Sequence, residues 1–172
     1  MSENYFALFG LNTIFNIDLQ ALETSYRKIQ SEVHPDRFVS GTTTEKLHSM
    51  QIATLANAAY STLKNPALRA SYLLGLQNIQ ATSETNTNMP ADFLMQTMDW
   101  REALEDAKQA KDIPALESLL KEMQAEAKSM QVELTDLFDN KNALHEAQGV
   151  TRKLIFIDKV SADINKAIEQ LD

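Results

Sequence analysis

The stretch Tyr26-Arg27-Lys28-Ile29-Gln30-Ser31-Glu32-Val33-His34-Pro35-Asp36-Arg37-Phe38 decides how the N-terminal half folds. It starts inside an amphipathic helix whose core-facing side is written by Leu19, Leu22, Tyr26, Ile29 and Val33, at alternating three- and four-residue steps. It ends at a proline, which has no amide to donate and drives His34 out of helical dihedrals. His34 and Asp36 therefore stand at a corner, where side chains face outward. Upstream, Asp18 is placed to cap the helix, and Tyr5, Phe6, Leu8 and Phe9 form a short apolar segment stopped by Gly10. Downstream, the spacing predicts a second long helix over about 44–64, with Leu47, Met50, Ala53, Ala56, Ala59, Tyr60 and Leu63 toward the core. Asn65-Pro66 stops it, and a short helix carries Leu68, Tyr72, Leu73 and Leu76. Two long helices of opposite direction pack as a hairpin, with the short ones covering its ends.

Past this hairpin the composition changes. The tract Gln77 to Met89, most polar over Ala81-Thr82-Ser83-Glu84-Thr85-Asn86-Thr87-Asn88, is poor in helix formers and ends at Pro90, a favoured first-turn residue. It reads as a connector (77–89) between domains at 1–76 and 90–172. The charges divide there too: residues 1–76 hold six acids and six bases, and 77–172 hold 18 acids and 10 bases, which accounts for the net charge of -8. Two jobs on one chain is the economical reading.

Three amphipathic helices follow, an antiparallel three-helix bundle in an all-α protein. The first carries Phe93, Thr97, Trp100, Leu104 and Ala107 along one stripe. The second, opened by Pro114, has Leu116, Leu119, Leu120, Met123, Ala127, Met130, Leu134 and Leu137. The third has Ala147, Val150, Leu154, Ile157, Ser161, Ile164, Ile168 and Leu171. Charges such as Glu117–Lys121 and Glu122–Glu126 need no role beyond solvation. The apolar residues that miss the stripes are more informative. Leu94, Met95 and Met98 lie roughly 80 to 180° around from the first stripe's centre, and Phe156 roughly 120° from the third's. Together they form a candidate exposed apolar patch, rimmed by Asp99 and Glu102, of the kind that marks a partner site.

Several functions are excluded or disfavoured. With no cysteine there is no disulfide framework, thiol nucleophile or thiolate metal site on this chain. The acidic balance argues against a nucleic-acid-coating protein. No apolar run approaches the roughly 18 residues that cross a bilayer. Met1-Ser2-Glu3-Asn4 lacks the basic flank of a signal peptide, so a cytoplasmic protein is expected. His48 and His145 show no metal-ligand spacing, and no metal or cofactor is expected. His34 and Asp36 have the chemistry for acid–base work, but no glycine phosphate loop or serine elbow accompanies them, so a regulator is favoured over a hydrolase.

The N-terminal half resembles the J-domain of DnaJ-type co-chaperones. The matching residues are Tyr5-Phe6-Ala7-Leu8-Phe9-Gly10, Tyr26-Arg27-Lys28, His34-Pro35-Asp36 and Asn57-Ala58-Ala59-Tyr60-Ser61-Thr62-Leu63. The resemblance implies that His34, Pro35 and Asp36 form a loop that docks on a seventy-kilodalton heat-shock chaperone and stimulates its ATP hydrolysis. It also implies electrostatic contacts from Arg27, Lys28 and Arg37. Glu23 and Glu32 flank the first two cations, so the basic face is thinner than usual in J-domains and docking leans on the loop.

The whole chain resembles the HscB family of iron–sulfur co-chaperones. The residues that carry this are Pro66-Ala67-Leu68-Arg69-Ala70-Ser71-Tyr72-Leu73-Leu74, Phe93-Leu94-Met95, Trp100-Arg101-Glu102-Ala103-Leu104 and Val150-Thr151-Arg152-Lys153-Leu154-Ile155-Phe156-Ile157-Asp158-Lys159. The family implies a bridge between an HscA-type chaperone, bound by the J-domain, and an IscU-type scaffold, bound by the bundle. By matching position the scaffold-binding residues are Leu94, Met95, Met98, Asp99, Glu102 and Phe156. Ile155 stands where the family often has a basic residue. A cysteine-bearing N-terminal extension, found in many eukaryotic relatives, is missing, which favours a bacterial form. A general J-type co-chaperone using the patch for unfolded clients is the alternative.

Overall fold

A computed structural model describes residues 4–82 and 89–172. Among these the protein is all-α, in two compact units, Met1–Leu73 and Leu74–Asp172. The first unit contains the helical hairpin expected at the N-terminus and the second ends in the three-helix bundle. Met1-Ser2-Glu3 and the tract 83–88, both used in the sequence reading, lie outside the described residues.

In the first unit, α1 (Tyr5–Leu8) ends at Gly10, whose φ of 67° is a left-handed turn that glycine adopts without a Cβ clash. Asp18 caps α2 (Leu19–Glu32), its carboxylate accepting from the Gln20 and Ala21 amides at 3.0 and 3.1 Å. A 3₁₀ turn (Pro35–Phe38) leads to α3 (Thr43–Lys64), which opens with a Thr42–Glu45 capping box. The last helix, α4 (Pro66–Leu76), contains the boundary between the units.

Aromatic stacking joins α2 to α3. Tyr26 lies flat on Tyr60 at 4.0 Å between ring centroids and donates its hydroxyl to Asn57. Tyr5 stacks on Tyr72 at 4.5 Å, and its amide donates to the Tyr72 hydroxyl. Arg69, almost fully buried, donates from Nη1 to the Leu63 carbonyl at 2.7 Å and lies over the Phe15 ring. It thereby satisfies one of the carbonyls that the end of α3 leaves open.

Three residues expected in this core are outside it: Leu19, Leu47 and Met50 are 52, 56 and 64% exposed. The inward face of α3 is written in small residues instead. Ala56 and Ala59 are fully buried, and buried Ser49 donates its hydroxyl to the Lys46 carbonyl. Leu47 and Met50 sit roughly 120 to 180° around from Ala56, on the face turned away from that core.

In the second unit, α5 (Ala91–Gln109) buries Phe93, Thr97, Trp100, Leu104 and Ala107, the stripe expected from sequence. Helix α6 (Ile113–Thr135) buries Leu116, Leu119, Met123, Met130 and Leu134, and continues into a π turn (Asp136–Asn140) that buries Leu137. Helix α7 (Leu144–Leu171) packs most extensively on α6 and also on α5. Its seam differs from expectation: Val160 and Ala167 are buried, while Ser161, Ile168 and Leu171 are half-buried. A helix with two neighbours buries a wider arc than one stripe, and here that arc also takes in Thr151, whose hydroxyl donates to the Ala147 carbonyl.

Part of the expected connector is attached to this unit. The Gln80 carbonyl accepts from Gln148 at 2.6 Å, and the Ala81 carbonyl accepts from Arg152 Nε at 2.7 Å. At the α6–α7 corner, Asn140 and Lys141 donate to Asp136 and hold its carboxyl below the ordinary value. That tie is present above the unfolded carboxylate range and is lost as pH falls through the lowered one.

The burial pattern separates two leucines that sequence treats alike. Leu22→Ala is expected to cost about 2–5 kcal/mol by urea denaturation, and Leu47→Ala to stay within about 0.5 kcal/mol. At the end of α5, Lys111 holds a φ of 53°, with the Asp112 amide donating to the Ala107 carbonyl in a Schellman-type closure. Lys111→Gly is expected to stabilise by about 0.5–1 kcal/mol, read in the same denaturation experiment.

Candidate functional site

Two groups of residues project from the two units. The first is the corner after α2. His34 is the N-cap of the 3₁₀ turn: its φ and ψ are −59° and 136°, and its Nδ1 accepts from the Asp36 amide at 3.2 Å. Pro35 takes the first helical position, where a missing N–H costs nothing. A nitrogen that accepts carries no proton, so the neutral ring holds its proton on Nε2. The Asp36 carboxylate lies 3.5 Å from the same Nδ1, and both side chains are open to solvent, 58% exposed for His34 and 88% for Asp36. With Nδ1 unprotonated, it and the carboxylate oxygen are both acceptors and make no hydrogen bond to each other, so the His34 side chain acts through the backbone of its own turn.

The three cations differ. Arg27 is exposed but paired with Glu23 at 2.8 Å, one turn earlier on the same helix. Lys28 and Arg37 are exposed and carry no ion pair among the described residues. The charge on this face is therefore carried chiefly by Lys28 and Arg37.

The second group is on α5 and α7. Leu94, Met95 and Met98 are 47, 68 and 70% exposed, and Asp99 and Glu102 beside them are exposed as well. Trp100 fixes the rotation of α5, buried and donating its indole N–H to Glu122 on α6 at 3.3 Å. Glu122 therefore has a partner inside the bundle, contrary to the expectation that it serves solvation alone. Phe156 is only half-buried, not fully displayed as the sequence reading had it. Its ring meets Phe93 edge-on at 6.1 Å and lies under the Arg101 guanidinium at 5.2 Å. Flanked on α5 by positions 93 and 101, it sits abreast of the turn bearing Leu94 and Met98.

Among the described residues no three of His, Asp or Glu are grouped to hold a metal ion. A cavity of about 300 Å³ is lined by Gly10, Leu11, Asn12, Ile14, Asn16, Ile17 and Asp18, none of them from the His34 corner. No helix among the described residues is long and apolar enough to cross a membrane.

Known proteins match this arrangement along its length. Residues 89–165 match the family model described as the HSCB C-terminal oligomerisation domain. A co-chaperone HscB homolog of Paraburkholderia phymatum is 43% identical over 172 residues, covering all of this chain and 98% of the relative. The chain belongs to the HscB family of J-domain co-chaperones. The HscB chaperone structure from Vibrio cholerae is 34% identical and superposes with a TM-score of 0.83, covering 99% of this chain and all of the other. The human HscB co-chaperone structure is 29% identical with a TM-score of 0.87, covering 96% and 82%. The HscB family serves iron–sulfur cluster assembly, and the chain is a co-chaperone in that process.

Two features of this HscB-family site escaped the sequence reading. Arg101 and Lys153 cover the rings of Phe156 and Phe93, at 5.2 and 5.6 Å, placing positive charge within an acidic unit. The signal was present, since Arg101 stands three residues after Met98 and Lys153 three before Phe156, one helical turn in each case.

Proposed function

We propose that this chain stimulates the ATPase of an HscA-type chaperone through its J-domain and delivers an IscU-type scaffold to it through the bundle. The observation that carries the second half is α5. Its buried stripe is complete, yet Leu94, Met95 and Met98 on the same helix remain in water. An adaptable apolar surface with an acidic rim suits a folded protein partner. The proposed domains are 1–76 for the J-domain, 77–89 for the connector and 90–172 for the scaffold-binding bundle.

On this reading His34, Pro35 and Asp36 form the activating corner, with Arg27, Lys28 and Arg37 adding electrostatic attraction. Arg27 contributes least, because Glu23 already neutralises it at short range. Leu94, Met95, Met98 and Phe156 supply apolar contact, and Asp99 and Glu102 set register against cations of the scaffold. The chain regulates hydrolysis performed by its partner in the bacterial cytoplasm. Its residues bind and orient, and none of them breaks a bond.

Substitution separates the two halves. His34→Asn keeps an N-cap acceptor but removes the ring. Like His34→Gln, it is expected to abolish stimulation of the chaperone's ATPase while scaffold affinity is unchanged. Stimulation retained by the Asn variant would mean that only the cap matters, and loss of both functions would indicate misfolding. The double variant Leu94→Ala with Phe156→Ala is expected to weaken scaffold binding by about 1–3 kcal/mol per residue in calorimetric titration, sparing basal ATPase stimulation. Equal affinity would remove the patch from the site, and equally tight capture of denatured model clients would favour a general J-type co-chaperone.

A further inference from the structure

We propose that Met95 and Met98 form a peroxide-sensitive modification site that lowers affinity for the scaffold when oxidised. The inference rests on the scaffold-binding reading and gives that site a regulation. Three observations carry it. First, the chain has no cysteine, so its only oxidisable sulfur is thioether. Second, exposure separates the methionines of this unit: Met95 and Met98 are 68 and 70% exposed, Met89 is half-buried, and Met123 and Met130 are buried at 0 and 9%. Third, the two exposed sulfurs stand three residues apart on α5, within one turn and on one side, beside exposed Leu94. Met50 is 64% exposed as well, but on α3 of the other unit, and supplies an internal control.

The chemistry is an oxygen-atom transfer. A sulfur lone pair attacks one oxygen of hydrogen peroxide, an S–O bond forms and the O–O bond breaks. The thioether is oxidised by two electrons to the sulfoxide, and the peroxide is reduced to water once protons shift between its oxygens. The product is a polar, chiral side chain in place of a flexible apolar one, and reductases of the methionine sulfoxide class reverse it. On a solvated surface the change costs the free protein little. Against an apolar partner, each sulfoxide oxygen must give up water without a matched donor, so the penalty falls on the complex. Scaffold seated on the patch also covers the two sulfurs, so peroxide reaches them more slowly in the complex than in the free chain.

The test treats the full chain with hydrogen peroxide, maps sulfoxides by peptide mass spectrometry and titrates the product with purified IscU-type scaffold. Oxidation is expected first at Met95, Met98 and Met50, with Met123 and Met130 protected. Affinity is expected to fall at least about tenfold. A methionine sulfoxide reductase is expected to restore it. In the M95L/M98L double variant, affinity before and after peroxide should be equal, whatever its starting value, whereas M50L should stay as sensitive as the parent chain. Excess scaffold should protect Met95 and Met98 but not Met50. If the untreated chain fails to bind scaffold, the parent reading falls and this one with it. If it binds, and full oxidation of both methionines leaves affinity unchanged, this inference alone is overturned; resistance of both sulfurs to peroxide does the same.

Discussion

Helix α5 has one rotational setting in which Phe93, Thr97, Trp100, Leu104 and Ala107 all face the other two helices of the bundle, and the Trp100–Glu122 hydrogen bond holds it there. A 3.6-residue repeat then leaves no freedom for the remaining positions. Leu94, Met95 and Met98 must point elsewhere, and turning α5 to shelter them would pull an indole and a phenyl ring into water. Burying a large apolar side chain is worth roughly 1.5–3 kcal/mol, so the exposed trio represents stabilisation that only another molecule can supply. The patch follows from a core that is already satisfied.

The opposite functional end obeys a similar local constraint. Pro35 stops α2, and the chain has to turn before α3 can start at Thr43. His34 stabilises that turn by capping it with its own Nδ1, which leaves Nε2 free to donate outward. One nitrogen holds the backbone and the other faces solvent, so the corner's shape and its display come from a single ring. Asp36, at the second position of the turn, keeps its carboxylate exposed beside it. Behind the corner, the Tyr26–Tyr60 stack and the Tyr26–Asn57 hydrogen bond join α2 to α3, which is how residues far from the loop keep it in place.

These two devices were legible in the sequence to different depths. The α5 stripe was readable in full because Phe93, Trp100 and Leu104 are large enough to mark its centre and most positions opposite them are charged, apart from the informative exceptions. The α3 face was not: Ala56, Ala59 and Ser49 do the packing, and periodicity weighted by hydrophobicity is drawn instead to Leu47 and Met50. Small residues permit close helix approach without announcing it. On α7, contact with two neighbours broadened the buried arc to include Val160 and Ala167, which a single stripe cannot represent. Ring-on-ring and cation-on-ring contacts were only faintly signalled, for another reason. They join residues such as Arg101 and Phe156 that lie far apart in the chain, and only the packing of α5 beside α7 brings them together.

The proposed bridge places its demands on different units of the chain, and this shapes how cooperation between partners must arise. No residue of the corner belongs to the unit that carries the patch. The two contacts also differ in character, since one leans on a hydrogen-bonded turn with modest positive charge and the other on apolar surface with an acidic rim. A scaffold bound on α5 therefore needs no rearrangement of the His34 turn to reach the chaperone. Tethering alone raises its effective concentration there, and that gain depends on the chain joining the two units rather than on any new contact. Changes within α4, where the boundary between the units falls, would then alter the coupling between partners while leaving each separate affinity intact, a pattern that distinguishes tethering from conformational transmission.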